Sequence, residues 1–257
     1  MGDRRRHRGV LRSDTLLKGW LRVGVLEGGT VVPRTEGVSQ GSPISPLLAN
    51  VVLNELDKFW EDYSGHLGQL IRYCDDFVIV CQTEGQAREG LRRVGEILTW
   101  LGLRLHPEKT RVVGVGGGRE GFDFLGFHCR KVESWRRRGK RYLQSWPSRR
   151  AMQEARDRIK AITAPRHRLP EPVGTLVVEL NAFLRGWGSY FRVGNATRKF
   201  EQIDLYVRER LALWHSKKTG RSGRDWKRHP VAYFRRLGVY ELKGTVKWYT
   251  AAPTAVR

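Results

Sequence analysis

Two short apolar runs meet at a pair of acidic residues in the first half of the chain. Residues 70–73 (Leu-Ile-Arg-Tyr) and 77–81 (Phe-Val-Ile-Val-Cys) have the length and composition of buried strands, and they flank Cys74-Asp75-Asp76. So short a connection between two strands allows only a tight hairpin. The pattern therefore predicts an antiparallel pair of strands with two carboxylates at its tip.

Adjacent carboxylates on a rigid turn repel each other, and a divalent cation relieves that repulsion. Carboxylate oxygens are hard ligands that suit Mg²⁺, and in phosphoryl transfer such groups hold metal ions about 3.5–4 Å apart. The alternative is an ordinary polar turn, since Asp is favoured in turns. A turn alone does not require Tyr73 before the pair or apolar residues on both sides. We interpret Asp75 and Asp76 as candidate metal ligands and catalytic residues.

Charge is distributed unevenly along the 257 residues. Residues 1–125 carry 17 Lys and Arg against 16 Asp and Glu, whereas residues 126–257 carry 31 against 10. Because a strongly basic half repels itself unless a polyanion neutralises it, nucleic acid is the leading partner. A GC-rich genome could explain why 36 of the 48 basic residues are Arg, but not why acids are lost from one half only.

Composition excludes several other classes. No apolar run approaches the roughly 20 residues of a membrane span, and residues 1–10 are basic without the apolar stretch of a secretory signal. The three cysteines, Cys74, Cys81 and Cys129, form no C-x-x-C pair, so we expect neither a disulfide framework nor a zinc site. We expect a cytoplasmic, intracellular protein of bacterial type.

Apolar periodicity divides the chain near residue 148 into a mixed part and a helical part. The predicted helices cover residues 14–24, 45–60, 85–102, 148–162, 176–191 and 200–214. The predicted strands cover a hairpin at 25–32 that turns on Gly28-Gly29, then 70–73, 77–81, 103–115 and 122–129, and residues 136–141 form a basic loop.

Four motifs follow one another in the mixed part. Tyr73-x-Asp75-Asp76 resembles the Y-x-D-D box of reverse transcriptases. Residues 39–50 (Ser-Gln-Gly-Ser-Pro-Ile-Ser-Pro-Leu-Leu-Ala-Asn) resemble the preceding palm motif of the group II intron-encoded enzymes. Residues 103–110 and 122–127 are similar to the two motifs that close the palm. Four motifs in the family's order are far more specific than any one of them.

The helical part carries a fifth resemblance. Residues 180–191 (Leu-Asn-x-x-Leu-Arg-Gly-Trp-x-x-Tyr-Phe) resemble the maturase, or thumb, domain of the same proteins. Over roughly residues 15–250 the chain therefore resembles a group II intron reverse transcriptase/maturase. The resemblance implies an α+β fold: a partial polymerase palm, with an antiparallel sheet and packed helices, in residues 1–130, then a basic linker or hairpin in 131–147. An all-helical thumb/maturase domain follows in 148–257.

The resemblance also implies a function. The family makes DNA on an RNA template from a DNA primer by Mg²⁺-dependent nucleotidyl transfer, and it binds group II intron RNA for splicing and mobility. The alternative is a non-enzymatic, RNA-binding splicing factor that keeps the palm only as scaffold. A binding protein of that kind would be indifferent to the loss of Asp75.

Particular positions receive roles from the same resemblance. Asp75 would be the main metal ligand, with Asp76 adjacent and weaker. Gln40, Gly41 and Tyr73 would lie beside the template and incoming nucleotide, although residues 41–43 could simply start a helix. Lys109 would lie near the phosphates, or be a solvated lysine. The hairpin at Phe124, Leu125 and Gly126 would support the primer end, or pack in the core.

In the thumb, arginines are the better candidates for RNA contact. We expect the stripe Leu176, Leu180, Phe183, Leu184, Trp187, Tyr190 and Phe191 to be core rather than a base-stacking platform. The candidate RNA-binding residues are Arg185, Arg192, Arg198, Arg208 and Arg210. Contacts of arginine with phosphates give affinity with little sequence information.

One part of the family pattern has no counterpart here. Polymerases of this kind need a further carboxylate from an earlier palm strand, but only 36 residues precede Gly37, and Asp3 and Asp14 lie in no strand pattern. The basic residues of the fingers are also missing. We therefore expect a truncated chain that is inactive alone, and an upstream chain could supply the missing parts.

Overall fold

A computed structural model describes most of the chain in two compact units, Met1–Val112 and Val113–Arg257. The described residues are 15, 18–19, 25–27, 30–32, 44–134, 137–221, 223 and 230–247. Most of the helix predicted at 14–24 lies outside them, although Thr15, Lys18 and Gly19 are helical. Both units combine helices with small antiparallel sheets, so the α+β class predicted from the sequence is confirmed.

In its described residues, the first unit contains two hairpins and two long helices. Its elements are β1 (Val25–Glu27), β2 (Thr30–Val32), α1 (Ser45–Phe59), a π-helical turn (Trp60–Ser64), a 3-10 turn (Gly65–Leu67), β3 (Gln69–Tyr73), β4 (Asp76–Val80) and α2 (Glu84–Trp100). The two predicted hairpins and the helices predicted at 45–60 and 85–102 are confirmed, with ends that shift by one or two residues.

Burial explains why these segments fold as they do. The apolar positions of α1 and α2 recur every three or four residues and face each other across a shared core. That core contains Leu53, Leu56, Trp60, Leu67, Val94 and Leu98, all buried. Thr83 caps α2 by accepting the N–H of Gln86, and the Gln86 side chain accepts the N–H of Thr83 in return. The two helices thus form a fixed base for the β3–β4 hairpin.

The prediction of a strand at residues 103–115 is wrong. In this stretch the described backbone forms turns, among them the bonds from the N–H groups of Lys109 and Thr110 to the carbonyl of His106. Alternating apolar residues favoured a strand, but a strand also needs a partner with free backbone groups. Within the described residues no strand pairs with it, and Leu105 packs instead against the core of the first unit.

The second unit begins with a three-stranded antiparallel sheet. Its strands are β5 (Gly121–Phe124), β6 (Phe127–Glu133) and β7 (Arg141–Pro147), in the order β5-β6-β7. The single strand predicted at 122–129 is thus two strands, because Leu125 and Gly126 have φ of 49° and 77° and turn the chain. Positive φ at both central residues is the pattern of a type I′ hairpin turn.

Among its described residues, four α-helices and a 3-10 turn (Arg166–Arg168) complete the second unit. The α-helices are α3 (Arg149–Thr163), α4 (Val173–Phe191), α5 (Thr197–Lys218) and the short α6 (Val231–Arg236). Ser148 starts α3, since its hydroxyl accepts the N–H of Ala151 at 3.2 Å. The three long predicted helices are confirmed, and their buried residues form one core that includes Ile159, Leu180, Leu184, Phe200, Ile203, Val207 and Leu211.

Two polar side chains hold the segment after α6 against these helices. Asp204 of α5 is buried and accepts the N–H groups of Leu242 and Lys243, both at 2.9 Å. Burial raises the pKa of Asp204, and the two backbone hydrogen bonds oppose that shift. Asn181 of α4 donates to the carbonyl of Gly238 and accepts the N–H of Tyr240. The segment is therefore fixed by backbone contacts that a helical pattern does not reveal.

Candidate functional site

The β3–β4 hairpin presents its two faces to different surroundings. Its strands pair so that Arg72 lies opposite Phe77 and Tyr73 lies opposite Asp76. Phe77 packs against the core of the first unit, whereas Tyr73 is 63% exposed. Since opposed residues in an antiparallel pair share a face, Tyr73 and Asp76 lie together on the open face. Asp75 occupies the turn beside them, so the hairpin brings together the three residues of the Y-x-D-D box.

The turn itself is held in an unusual backbone conformation. Cys74 has a φ of 53°, and with Leu125 it is one of two non-glycine residues with positive φ in the described part of the chain. A left-handed conformation costs an L-residue roughly 1–2 kcal/mol, so neighbouring contacts must hold it. The geometry leaves Asp75 and Asp76 exposed.

Arg72 supplies those contacts from beneath the turn. Its Nη1 donates to the carbonyl oxygen of Cys74 and to Oδ1 of Asn50, both at 2.8 Å. Its Nε donates to Oδ1 of Asp57 at 2.9 Å, and its Nη2 forms an ion pair with the same carboxylate. The hydrogen bonds that Arg72 donates to Asp57 raise the pKa of Arg72 above its ordinary value. The guanidinium thus ties the turn to two positions of helix α1.

This network was not predicted from the sequence. Asn50 is the last residue of the motif at 39–50, and it contacts the strand that leads into the Y-x-D-D box. The available signal was Arg72 itself, a charged residue within an apolar strand. Such a residue on the packed side of a hairpin needs partners with charge or hydrogen-bonding capacity.

The carboxylates satisfy part of what a metal site requires. In the described residues no group of three or more His, Cys, Asp or Glu side chains lies close enough to hold a metal ion. Mg²⁺, however, is commonly bound by one or two carboxylates, with water and substrate phosphates as its other ligands. Asp75 and Asp76 are exposed, and neither forms an ion pair with a described residue. Their donor chemistry fits Mg²⁺, although their role as metal ligands stays a prediction.

Of the other predicted palm residues, only Lys109 lies among the described residues of the first unit. Gln40 and Gly41 lie outside the described residues. Lys109 is exposed in the turn that follows α2, and no described hydrogen bond or ion pair joins it to Asp75 or Asp76. Its predicted role near the phosphates stays a prediction.

The predicted primer hairpin lies in the second unit. Gly126 has positive φ and leaves room for Phe191, since a Cβ there would lie 3.2 Å from the ring. Tyr190 donates its hydroxyl to the carbonyl of Leu125 at 2.9 Å and is 53% exposed. The expectation that Tyr190 is core is therefore wrong, because its hydroxyl reaches a backbone acceptor in the turn between β5 and β6. Phe183 and Trp187, by contrast, pack against the core as expected.

The five candidate arginines of the thumb differ in solvent exposure and in the contacts of their guanidinium groups. Arg198 is exposed at the start of α5, and Arg185 is exposed with its guanidinium 4.7 Å from the ring centre of Tyr240. Arg192, at the end of α4, is partly exposed. Arg208 lies 4.0 Å from Glu241, and Arg210 donates to the buried hydroxyl of Thr163. The first three are thus better placed for phosphate contact than the last two.

Comparisons with known families agree with this arrangement. The described residues combine a hairpin with a Y-x-D-D turn, packed against two helices, with a second unit rich in helices, which is the class of fold that a partial polymerase palm followed by a maturase domain would have. Residues 3–129 match the family described as reverse transcriptase (RNA-dependent DNA polymerase), and residues 152–234 match the group II intron maturase-specific domain. The chain belongs to the group II intron reverse transcriptases/maturases.

One curated relative shares part of this sequence. The chain is 30% identical over 147 residues to protein YkfC of Escherichia coli (strain K12), an alignment that covers 45% of this chain and 38% of the relative. The chain thus spans less than half the length of that relative. In the part of the chain that the structure describes, no helix is long and apolar enough to cross a membrane.

Proposed function

We propose that this chain carries the nucleotidyl-transfer turn and the intron-binding domain of an RNA-directed DNA polymerase. The observation that supports this most is the order of the two family matches, with Asp75 and Asp76 exposed at the tip of the hairpin in the first. The substrates would be an RNA template, a DNA primer and deoxynucleotides. The intron RNA bound by the second match would couple synthesis to splicing and mobility.

The residues of the turn would act by position and charge. Asp75 and Asp76 would hold Mg²⁺, which when bound activates the primer hydroxyl and neutralises charge on the leaving pyrophosphate. Tyr73, on the same face as Asp76, would contact the incoming nucleotide. Arg72 would keep the turn in one conformation, because a misplaced catalytic group loses much of the rate gained from correct orientation.

The RNA-binding role would depend on the charge of the second unit. Arg185, Arg192 and Arg198 lie on helices α4 and α5 or at their ends, and at least part of each side chain reaches solvent. Contacts with phosphates release counterions, so affinity falls with salt by a slope of about −0.7 to −0.9 per phosphate contacted. We expect binding of intron RNA to show a slope that corresponds to several such contacts.

Primer extension on an RNA template tests the catalytic part. The chain would be assayed with Mg²⁺, both alone and joined to the stretch encoded immediately upstream of Met1, since a further carboxylate and the fingers residues are expected from there. Asp75→Asn should lower DNA synthesis by at least about 100-fold. Loss of a single group that stabilises charge in the transition state typically lowers the rate of an enzyme by that amount. Asp62→Asn, at an exposed acid of the same unit, is the matched control.

The outcomes separate the two readings of the chain. Synthesis that depends on Asp75 but not on Asp62 supports the polymerase proposal, and synthesis by the chain alone would show that no upstream segment is needed. If neither form makes DNA, or if Asp75→Asn leaves synthesis unchanged, the catalytic proposal is wrong. Salt-sensitive intron binding that persists in that case would leave a non-enzymatic RNA-binding protein.

A further inference from the structure

The sheet of the second unit lies largely between the two family matches. Strands β6 and β7 cover Phe127–Glu133 and Arg141–Pro147, whereas the matched segments end at residue 129 and resume at residue 152. Most of this hairpin is therefore assigned no role by either family. Its two faces differ in chemistry.

One face of the sheet packs against the helices. The ring of Phe127 lies 4.9 Å from that of Phe191 and 5.6 Å from that of Tyr190, centre to centre. The register pairs His128 with Trp146 and Asp123 with His128, so these three side chains lie together on the other face. The same face carries four further side chains, from the pairs Arg130–Gln144 and Val132–Tyr142. We call it the stacking face; its members are Asp123, His128, Arg130, Val132, Tyr142, Gln144 and Trp146.

Aromatic and cationic groups alternate on the stacking face. The ring centres of His128 and Trp146 are 5.3 Å apart, and the guanidinium carbon of Arg130 lies 5.6 Å from the centre of the Trp146 ring. Tyr142 lies four residues before Trp146 on the same strand, about 13 Å from it at the usual rise per residue. It is 47% exposed. Nε of Arg130 is buried and has no hydrogen-bond partner among the described residues, so the guanidinium retains an unused donor. These rings are thus oriented by neighbours and still reach solvent.

Gly121 keeps the edge of this face open. A Cβ at residue 121 would lie 2.7 Å from Nε2 of His128 and 2.6 Å from the carbonyl oxygen of Cys129, so any side chain would displace the imidazole. His128 in turn contacts the Asp123 carboxylate through Nδ1 at 2.6 Å. The absence of a side chain at Gly121 therefore preserves the pair of His128 and Asp123.

The tip of the β6–β7 hairpin adds positive charge beside the stacking face. Arg137, Arg138 and Lys140 are all exposed there, and the carboxylate of Glu133 is engaged by the N–H of Gly139. A surface that combines planar rings with exposed cations complements a polyanion whose bases are unpaired. A paired duplex hides the faces of its bases, and an acidic protein offers no bases to stack.

We propose that the stacking face binds unpaired nucleotides of an RNA strand. Bases would stack on Trp146 and Tyr142, while Arg130 and the cations of the hairpin tip contact the phosphates. Asp123 would repel phosphate but can accept a hydrogen bond from a ribose 2′-hydroxyl, a donor that DNA lacks. The proposal rests on the proposed function only for the presence of RNA, and it concerns no residue of the nucleotidyl-transfer turn.

Binding of a single-stranded oligouridylate to the full chain tests this surface. Loss of one ring should weaken binding by about 5- to 150-fold, the range for base–aromatic stacking. We therefore expect Trp146→Ala and Tyr142→Ala to weaken it, and Trp146→Phe to retain most of the affinity. Leu143→Ala is the matched control, because Leu143 is 60% exposed on the opposite face of the same strand.

Two further readouts separate stacking from a general loss of fold. The salt slope should be unchanged in the ring variants, since no phosphate contact is lost, but shallower in Arg130→Gln. A thiouridine-substituted oligouridylate should photocrosslink to the peptides that contain Trp146 or Tyr142. The corresponding deoxyoligonucleotide should bind less tightly, and Asp123→Ala should reduce that preference.

The proposal fails under clear conditions. It is wrong if Tyr142→Ala binds the oligouridylate as tightly as the wild type. It is also wrong if the ring variants lose no more affinity than Leu143→Ala, or if the crosslinks map to other peptides. Equal affinity for the DNA strand would overturn the choice of RNA. Asp75→Asn should bind and crosslink normally, so failure of the catalytic proposal would be distinguishable from failure of this one.

Discussion

Replacement of Arg72 tests whether the hairpin turn is held from below. Arg72→Ala removes the bonds to Asp57, Asn50 and the carbonyl of Cys74 in one step. Breaking a fully buried ion pair costs about 3–5 kcal/mol. The Arg72 side chain is only 12% exposed, but that of Asp57 is 33% exposed and can regain water. We therefore expect Arg72→Ala to lower the free energy of unfolding by about 2–3 kcal/mol. Arg72→Lys should cost less, because lysine keeps the positive charge, but it should still cost something because lysine cannot reproduce the planar fork of the guanidinium.

Hydrogen exchange of the amides in β3 and β4 of the full chain measures this loss where it occurs. Arg88→Ala is the matched control: its ion pair with Glu84 has side-chain exposures of 72% and 69%, and such pairs contribute about 0–1 kcal/mol. In a double-mutant cycle, Arg72 and Asp57 should show strong coupling. If Arg72→Ala costs no more than Arg88→Ala, the idea that Arg72 fixes the turn is refuted.

Three other substitutions follow from contacts in the structure. Ser148→Ala removes the cap of α3 and should lower the free energy of unfolding by about 1 kcal/mol in a urea titration. Asp204→Asn leaves one of two backbone N–H groups unpaired, at about 1–3 kcal/mol. Because burial raises the pKa of Asp204, stability should fall as pH rises through the ordinary Asp range towards that raised value, and the Asn variant should lose this dependence. Asp75→Asn, at an exposed turn, should change the free energy of unfolding by less than about 0.5 kcal/mol, although it should lower DNA synthesis at least about 100-fold. A large destabilisation would mean that Asp75 is structural.

The sequence predicted those parts of the fold that are specified by a periodic pattern of apolar residues along the chain. Helices α4 and α5 were predicted because apolar residues recur at helical spacing, and burial of Leu180 and Phe200 depends on that spacing alone. The strand at 103–115 was predicted from the same kind of local pattern and is wrong, because pairing depends on a second segment. The bonds of Arg72 to residues 15 and 22 positions away could not be predicted, since a local pattern does not specify which distant residues meet.

The proposed catalytic role requires a turn that is exposed to substrate and yet rigid. In this hairpin the side chains provide the exposure and the backbone provides the rigidity. The carboxylates of Asp75 and Asp76 remain in solvent, where two like charges are tolerated because water screens their repulsion. Rigidity comes instead from the backbone, since the carbonyl of Cys74 is bound by a guanidinium that is itself held by helix α1. A cation would therefore meet acids whose position is already set, and little binding energy would be spent on ordering them. Arg72 also suits this place better than a third acid would, because a cation under the turn offsets the charge above it and would not compete for the proposed Mg²⁺.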